Sequence, residues 1–262
     1  MSDRIASSVS EPVGLVGLGI SEMNTSVARL RAEADGGLVD GAMRAIIGRL
    51  RGGRLRIGDP IPSEASLAAE LGVSRTVVRE ALRALATLGV IDLGNGRRAR
   101  VGAIDKDVLG LVLDHAVHTD QATIQQIYDV RRTIEMRTVA LAALRRLDSE
   151  AEAIRAHATA MRAAFSHPEE AMEHDIAFHS AIAVASRNPL FALIVGSFSV
   201  VTRQTWRIGW ESRPTDAERM ANVECHARIA AAIDTREPRV AEAAMAEHFD
   251  NSVRALLSAG VI

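Results

Sequence analysis

The chain has 262 residues, of which 48% are hydrophobic and 3% are aromatic, and its formal net charge is −2. That length suits two domains of ordinary size, and the many small apolar residues favour closely packed helices. The one cysteine, Cys225, excludes an internal disulfide framework. Because the sequence has neither an apolar run of transmembrane length nor the basic-then-apolar start of a signal peptide, we expect a cytoplasmic protein that does not enter a membrane.

The charge is unevenly distributed along the chain. Between Leu38 and Gly102 there are eleven arginines and six acidic residues, a net charge of +5, whereas the segments on either side are acidic overall. A basic segment in an acidic chain indicates a local anion-binding surface. A solvated charged face would have the same composition, so the charge alone leaves both interpretations open.

Residues 1–37 are rich in Gly and Ser and show no sustained hydrophobic period, so we interpret them as a flexible N-terminal extension. From Val39 to Leu50 the apolar residues fit one face of a helix, which Gly52-Gly53 ends. Ser63 can then cap a second, shorter helix, and Gly72 stops it.

The next predicted helix, residues 75–88, has two contrasting faces. Its apolar face is formed by Val78, Leu82 and Leu85. Arg75, Arg79 and Arg83 lie four residues apart on another face, and the hydroxyl of Ser74 can cap the first turn. Such a helix suits a DNA groove, where arginine either binds guanine O6 and N7 with two hydrogen bonds or neutralises phosphates.

Two short strands are predicted after this helix, at 90–93 and 98–101, and Asn95-Gly96 between them suits a type I′ turn. Three helices and a two-stranded wing predict a winged helix-turn-helix domain over 38–103. From Ile104 onward only helical patterns appear, so we expect an all-α bundle over 104–262 and a mainly α fold class. The predicted helices of this bundle are roughly 105–118, 121–147, 149–166, 170–186, 189–210, 216–234 and 238–258.

In a winged helix-turn-helix, base contacts come mainly from the first turns of the recognition helix, and phosphate contacts from the other helices and the wing. The residues that we expect at DNA are Arg44, Ser63, Glu64, Ser74, Arg75, Thr76, Arg79, Gly96 and Arg97. The alternative is a helix-turn-helix that acts only as a structural or protein-binding module.

Three histidines of the second region lie on apolar stripes of three predicted helices. Asp175 and His179 are four residues apart and share a helix face, while His226 and His248 lie on later helices. Each histidine alone is more often a hydrogen-bonded core residue than a ligand. Three imidazoles and one carboxylate that converge in one bundle, however, suit a divalent metal ion such as zinc, nickel or manganese.

Several motifs of the first region resemble the DNA-binding domain of the GntR family of bacterial regulators. They are Gly58-Asp59-Pro60-Ile61-Pro62-Ser63-Glu64, Leu71-Gly72-Val73-Ser74-Arg75 and Val78-Arg79-Glu80-Ala81-Leu82. The resemblance implies a homodimer that binds a palindromic operator in double-stranded DNA.

The second region resembles the FCD domain of the FadR-like branch of that family. The motifs are Asp175-x-x-Phe178-His179-x-x-Ile182, His226-x-x-Ile229, His248 and, on an earlier helix, Arg131-x-x-x-Glu135. The resemblance implies a metal held by Asp175, His179, His226 and His248 in a cavity that also binds an organic-acid effector. For the cation that meets the effector carboxylate, we expect Arg131, unless it only pairs with Glu135, and secondly Arg203.

These features predict a transcriptional repressor, or less often an activator, whose operator binding is controlled by a small carboxylate. Two alternatives stay open. A metal-dependent hydrolase or lyase with a DNA-binding appendage needs a general base beside the metal, and Glu173 and Glu224 lie off the relevant helix faces. A ligand-independent DNA-binding protein predicts no effect of any ligand on DNA binding. We therefore expect a regulator rather than an enzyme.

Overall fold

The computed structural model describes residues 37–94 and 98–261. The chain divides into two compact units between Ala103 and Ile104. Within the described ranges, none of the helices combines the length and the apolar character that crossing a bilayer requires. The predicted N-terminal extension lies outside the described residues, except for residue 37, which is already helical.

The N-terminal unit has three helices followed by a two-stranded antiparallel sheet. Its elements are α1 (described over residues 37–52), α2 (Glu64–Leu71), α3 (Arg75–Thr87), β1 (Ile91–Asp92) and β2 (Arg100–Val101). Its core contains Ile46 of α1, Leu67 of α2 and Leu85 of α3, all of them 2% exposed or less. This core fixes the orientation of α3 against α1 and α2.

A three-residue turn joins α2 to α3. Gly72 ends α2 in the left-handed region, at φ 67°, and its N–H donates to the carbonyl of Ala68; glycine adopts this conformation without a steric penalty. Ser74 begins α3, because its Oγ accepts the N–H of Val77 at 3.2 Å. The turn and the cap together set the first residues of α3 on the surface.

The wing is smaller than predicted. Only two residues of each strand pair, with Ile91 opposite Val101 and Asp92 opposite Arg100. A two-residue turn at Asn95-Gly96 without a bulge would instead place Asp92 opposite residue 99; the turn itself lies outside the described residues. Bonds from the chain before α2 extend the sheet, since the N–H of Ile61 donates to the carbonyl of residue 99 at 3.0 Å.

The C-terminal unit is all-helical in its described part. Its helices are α4 (Lys106–His118), α5 (Ile124–Arg145), α6 (Asp148–Ala163), α7 (Pro168–Ala185), α8 (Pro189–Ser197), α9 (Ser199–Glu211), α10 (Asp216–Asp234) and α11 (Pro238–Ser258). Helix α5 packs against α11 and α7, and α6 packs against α7 and α10. The predicted fold class, a winged helix-turn-helix followed by an all-α bundle, is confirmed.

The largest difference from the predicted helices lies in the helix expected over 189–210. The single helix expected over 189–210 is two helices, α8 and α9, separated at Phe198. The Ser197 hydroxyl donates to the carbonyl of Ile194 at 2.7 Å, and back-bonding of this kind bends helices. The break places Phe198 in the core, 3% exposed.

Candidate metal centre and nucleic-acid interface

Four side chains from three helices meet inside the C-terminal unit. We call them the His–Asp cluster: Asp175 and His179 on α7, His226 on α10 and His248 on α11. Each offers one ligand atom, and these atoms all lie within 4.8 Å of one another. The Nε2 atoms of His226 and His179 are 2.9 and 3.8 Å from the same oxygen, Oδ1 of Asp175. The four residues predicted as ligands are therefore brought together.

Apolar packing explains why these polar residues are buried. Phe178, fully buried on α7, lies edge-on against the rings of His179 and His226, with centroids 5.6 and 5.1 Å apart. On α11, His248 follows one turn after Met245, which is also fully buried. The hydrophobic stripes that hold the bundle together therefore carry the imidazoles into its interior.

A buried chain of polar contacts orients His179. Its Nδ1 atom hydrogen-bonds to Oε2 of Glu135 on α5. The other oxygen of Glu135 accepts from Nε of Arg131 at 3.0 Å, and Nη1 of Arg131 donates to the hydroxyl of Thr202 at 3.0 Å. A carboxylate on the far nitrogen of a metal-binding histidine is the usual way to fix its tautomer. Sequence reasoning treated Glu135 only as the partner of Arg131 and missed this second contact.

His226 is oriented from within its own helix. Its Nδ1 atom is 3.1 Å from the backbone carbonyl of Asn222, four residues earlier. A carbonyl only accepts hydrogen bonds, so Nδ1 carries the proton. The other ring nitrogen, Nε2, lies 2.9 Å from Oδ1 of Asp175. An imidazole with its proton on Nδ1 has the lone pair of Nε2 available for a metal ion.

The electrostatics of the site are dominated by two ionised carboxylates. Burial alone would raise the pKa values of Glu135 and Asp175, but the facing histidines, together with Arg131 beside Glu135, hold both below their usual range. Burial would lower the pKa of His179, yet these two carboxylates raise it. For His248 the opposing effect of Asp175 is outweighed, and burial, together with the neighbouring histidines and Arg131, lowers its pKa well below the usual value. It is therefore neutral, as a metal ligand must be.

Hydrogen bonding also tests whether the cluster fits a metal ion. His179 Nε2 and His248 Nδ1 are buried and have no hydrogen-bond partner among the described residues. An unsatisfied buried polar atom costs roughly 1–3 kcal/mol. A zinc–nitrogen bond is about 2.0–2.1 Å long, so atoms a few ångströms apart need only small shifts to surround one ion. Three imidazoles and a carboxylate thus fit a divalent transition metal.

The cluster opens into a small cavity of about 40 Å³. Arg131, Asp175 and His248 line it, together with Trp206, whose Nε1 is buried without a partner among the described residues. Arg131 is 5% exposed, and its guanidinium lies 5.3 to 5.7 Å from three aromatic ring centroids. The predicted cation therefore lies at the cavity, although it also pairs with Glu135.

The structure corrects the expectation for Arg203. This side chain is exposed and its Nη2 donates to Glu173 at 2.8 Å. It lines a separate surface groove instead of the cavity beside the His–Asp cluster. The spacing of residues along α9 showed that Arg203 lies near Trp206 on the helix. It did not show whether the face that carries Arg203 packs against the cluster.

The predicted DNA-binding residues that the structure describes lie on the surface of the N-terminal unit. Arg44, Arg75, Thr76 and Arg79 are exposed. Arg79 forms an ion pair with Glu64, the first residue of α2, at 3.2 Å. An exposed pair of this kind contributes only about 0–1 kcal/mol, so a phosphate can readily replace the carboxylate.

Two of the predicted contacts also have a structural role, and two lie outside the described residues. The Oγ atoms of Ser63 and Ser74 accept backbone N–H groups as helix caps, which leaves each hydroxyl proton free to donate to a phosphate. Gly96 and Arg97 lie outside the described residues. The neighbouring Arg98 donates to the backbone carbonyl of Ile61 at 2.8 Å and so braces the base of the wing.

A winged helix-turn-helix joined to a bundle with a buried His–Asp cluster defines a ligand-responsive DNA-binding protein. Comparison with known families agrees. Residues 38–101 match the family described as "Bacterial regulatory proteins, gntR family", and residues 126–251 match the FCD domain. The chain belongs to the GntR family of bacterial regulatory proteins.

Relatives extend this match over most of the chain. The HTH-type transcriptional regulator LutR of Bacillus subtilis (strain 168) is 30% identical over 206 residues, which is 77% of this chain and 93% of LutR. The Glc operon transcriptional activator of Escherichia coli (strain K12) is 31% identical over 204 residues, 75% of this chain and 80% of the activator. The HTH-type transcriptional repressor NanR of Cronobacter sakazakii is 30% identical over 203 residues, 74% of this chain and 75% of NanR.

Among solved structures, that of Streptococcus agalactiae GntR covers 82% of this chain and 98% of its own, with a TM-score of 0.60 and 24% identity. This similarity supports the fold. The protein is thus a transcriptional regulator, repressor or activator, with an N-terminal DNA-binding domain and a C-terminal effector-binding FCD domain. The family consists of regulators, so the predicted assignment as a regulator and not an enzyme is confirmed.

Proposed function

We propose that this regulator senses a small organic acid at a divalent metal ion, zinc, nickel or manganese, held by the His–Asp cluster. The observation that carries the proposal is the convergence of four buried side chains, whose ligand atoms all lie within 4.8 Å of one another. Metal-bound histidines are neutral, so Arg131, Glu135, Asp175 and a divalent ion would together carry a charge of +1, which a monocarboxylate neutralises.

Each side chain has a defined part in this arrangement. The bound metal would supply a Lewis-acidic position for a carboxylate oxygen. Glu135 holds the His179 ring so that Nε2 faces the ligand position, and the carbonyl of Asn222 does the same for His226. Arg131, anchored by Glu135 and Thr202, presents its remaining N–H groups and its charge to the cavity.

At the other end of the chain, we propose that α3 of each subunit of a homodimer enters the major groove of one half of a palindromic operator. Arg75, Thr76 and Arg79 lie on its first turns and contact base edges or phosphates. Arg44, the hydroxyls of Ser63 and Ser74, and Gly96 with Arg97 in the wing contact the backbone. Glu64 positions Arg79 before DNA binds. Because its proposed target is an operator in bacterial DNA, we place the protein in the cytoplasm.

Effector binding would then bias the spacing of the two recognition helices across the dimer. A recognition helix that is not aligned with the major groove of its half-site loses base contacts. Coupling between two sites is typically about 1–3 kcal/mol, which corresponds to a change in operator affinity of roughly 5- to 150-fold. A repressor would be released from its operator by the acid.

The test combines metal analysis with DNA binding. The full-length protein is purified, its metal content measured, and its operator selected from a random DNA pool. A panel of hydroxy and sugar acids is then added to gel-shift assays. We expect one metal ion per subunit in the wild type, none in the double variant His226→Ala/His248→Ala, and an acid effect on DNA binding only in the wild type.

Substitution of His118, an exposed histidine at the end of α4, by alanine serves as the matched control. Full metal occupancy in the double variant would reject the assignment of the site. An operator complex that is insensitive to every acid in the panel would reject the sensing function.

A further inference from the structure

A second pocket adjoins the metal cavity. It has a volume of about 260 Å³, compared with about 40 Å³ for the cavity itself, and the two share Arg213 and Asn222 as lining residues. A volume of 40 Å³ holds only a few water-sized groups. An effector whose carboxylate enters the metal cavity must therefore extend beyond it, and the adjoining pocket is the space that shares its wall.

Two arginines of this outer pocket have no carboxylate partner within the part of the chain that the structure describes. Arg213 donates from Nη1 to the carbonyl of Gly209 and from Nη2 to Oδ1 of Asn222 at 3.1 Å. Arg254 donates to Oδ1 of Asn251 at 2.9 Å. Among the described residues neither forms an ion pair, so both guanidinium groups retain donors and a full positive charge for a ligand.

Glu218, the one acidic residue among the described residues that line the outer pocket, is already engaged. Glu218 is part of the capping box of α10, where its Oε2 accepts the N–H and the hydroxyl of Thr215 at 3.1 and 3.0 Å. The pocket thus has two cationic side chains, one carboxylate held by a helix cap, and the hydroxyls of Ser212 and Ser258. Its composition favours an anionic, hydroxylated ligand group.

We infer that Arg213 and Arg254 form an outer subsite for a second negative charge of the effector, so that the effector is a dicarboxylic acid. One carboxylate faces the His–Asp cluster and the other meets the two guanidinium groups. Charge-assisted hydrogen bonds from guanidinium to carboxylate are short and strong. Arg213 belongs to both cavities and would set the distance between the two carboxylates.

This inference rests on the proposed function, because it assumes that the first carboxylate binds at the metal. The probes are two matched pairs of acids, lactate with malate and gluconate with glucarate, in which the second member adds a carboxylate. Binding to the full-length, metal-loaded protein is measured by calorimetry at constant ionic strength. We expect the diacid of at least one pair to bind tenfold or more tightly than its monoacid.

The variant Arg254→Gln should remove most of this preference while leaving the metal content and the affinity for the monoacid unchanged, because Arg254 lines only the outer pocket. Arg213→Gln should also remove the preference, and it should weaken the binding of both acids, because Arg213 lines the metal cavity as well. Arg239→Gln is the matched control, since Arg239 is exposed on the same helix, α11, without an ion pair among the described residues. Equal affinity for both members of each pair, a preference that survives both variants, or no binding of either diacid would overturn the subsite. If monoacids bind and alter DNA binding while diacids gain nothing, only the subsite fails; if no acid binds at all, the proposed function fails with it.

Discussion

The carboxylate of Glu135 on α5 and the Nδ1 atom of His179 on α7 share a buried hydrogen bond, and both residues are 3% exposed or less. Through this bond Arg131, the proposed effector-binding cation, is connected to a candidate metal ligand, because Glu135 binds both. A change at Arg131 is therefore expected to affect His179, and a change at His179 is expected to affect Arg131.

Glu135→Gln should weaken metal binding without unfolding the bundle. Glutamine retains the size of the side chain and one acceptor, but loses the charge that orients and polarises the His179 ring. Loss of a partner behind a ligating histidine typically lowers metal affinity about 10- to 100-fold. Competition with a chromogenic chelator measures this. Glu152→Gln, on the exposed face of α6, should retain wild-type affinity, and equal affinity in both variants would mean that Glu135 is only the counter-ion of Arg131.

Phe178→Ala should destabilise the C-terminal unit strongly. The phenyl ring is fully buried and packs edge-on against two rings of the His–Asp cluster, and removing such a ring costs about 3–5 kcal/mol. Both tryptophans of the chain, Trp206 and Trp210, belong to this unit, so urea unfolding followed by tryptophan fluorescence in EDTA reports on it alone.

Val184→Ala is the control for this prediction. Val184 is on the same helix but 54% exposed, and an exposed substitution of this kind changes stability by less than about 0.5 kcal/mol. A loss below about 1 kcal/mol for Phe178→Ala would indicate that the bundle collapses around the deleted ring, and would argue against a rigid support for the cluster.

The sequence predicted the elements of this protein better than the contacts between them. The i,i+4 spacing of Asp175 and His179 and the apolar stripes around His226 and His248 are local, so helix periodicity alone placed all four in one core. The second role of Glu135 was not accessible in this way, since it depends on the packing of α5 against α7. Arg203 was misplaced for the same reason, because spacing on α9 does not say which face turns inward.

The outer pocket, too, depends on contacts between elements that the sequence pattern does not show. Arg213 lies in the connection after α9, and Arg254 lies on α11, 41 positions further along. No sequence period or motif relates Arg213 to Arg254. Both line one pocket only because the tertiary fold brings them together. Conversely, the break at Phe198 had a local signal, the Gly196-Ser197 pair, which sequence reasoning did not use.

Ser74→Ala should loosen the recognition helix, because the Oγ that accepts the Val77 N–H at 3.2 Å is lost. Removal of such a cap costs about 0.5–2 kcal/mol, and hydrogen-exchange mass spectrometry of the α3 peptides should show faster exchange in the first turn. Ser74→Asp separates capping from DNA contact. Aspartate caps a helix as well as serine does, but its charge repels a phosphate. We therefore expect wild-type exchange and weaker operator binding; unchanged binding would place Ser74 away from the DNA backbone.

Arg79→Ala and Arg83→Ala form a matched pair on α3. Both side chains are exposed and both form ion pairs with a glutamate, Arg79 with Glu64 at 3.2 Å and Arg83 with Glu80 at 3.0 Å. They differ in position, since Arg79 lies one turn from the start of the helix and Arg83 lies two turns from it. Because recognition helices use their N-terminal residues at base edges, only Arg79→Ala should abolish the preference for the selected operator.

Salt dependence shows what each arginine does. If Arg79 binds a base, its loss should cost about 1–3 kcal/mol on the operator and little on unrelated DNA; if it binds a phosphate, both affinities fall and the slope of log affinity against log salt decreases by about one. Fluorescence anisotropy at several salt concentrations distinguishes these results. Arg83→Ala should change neither quantity. Equal losses for the two variants would show that the arginine face acts as one phosphate-binding surface, and that sequence is read elsewhere on the domain.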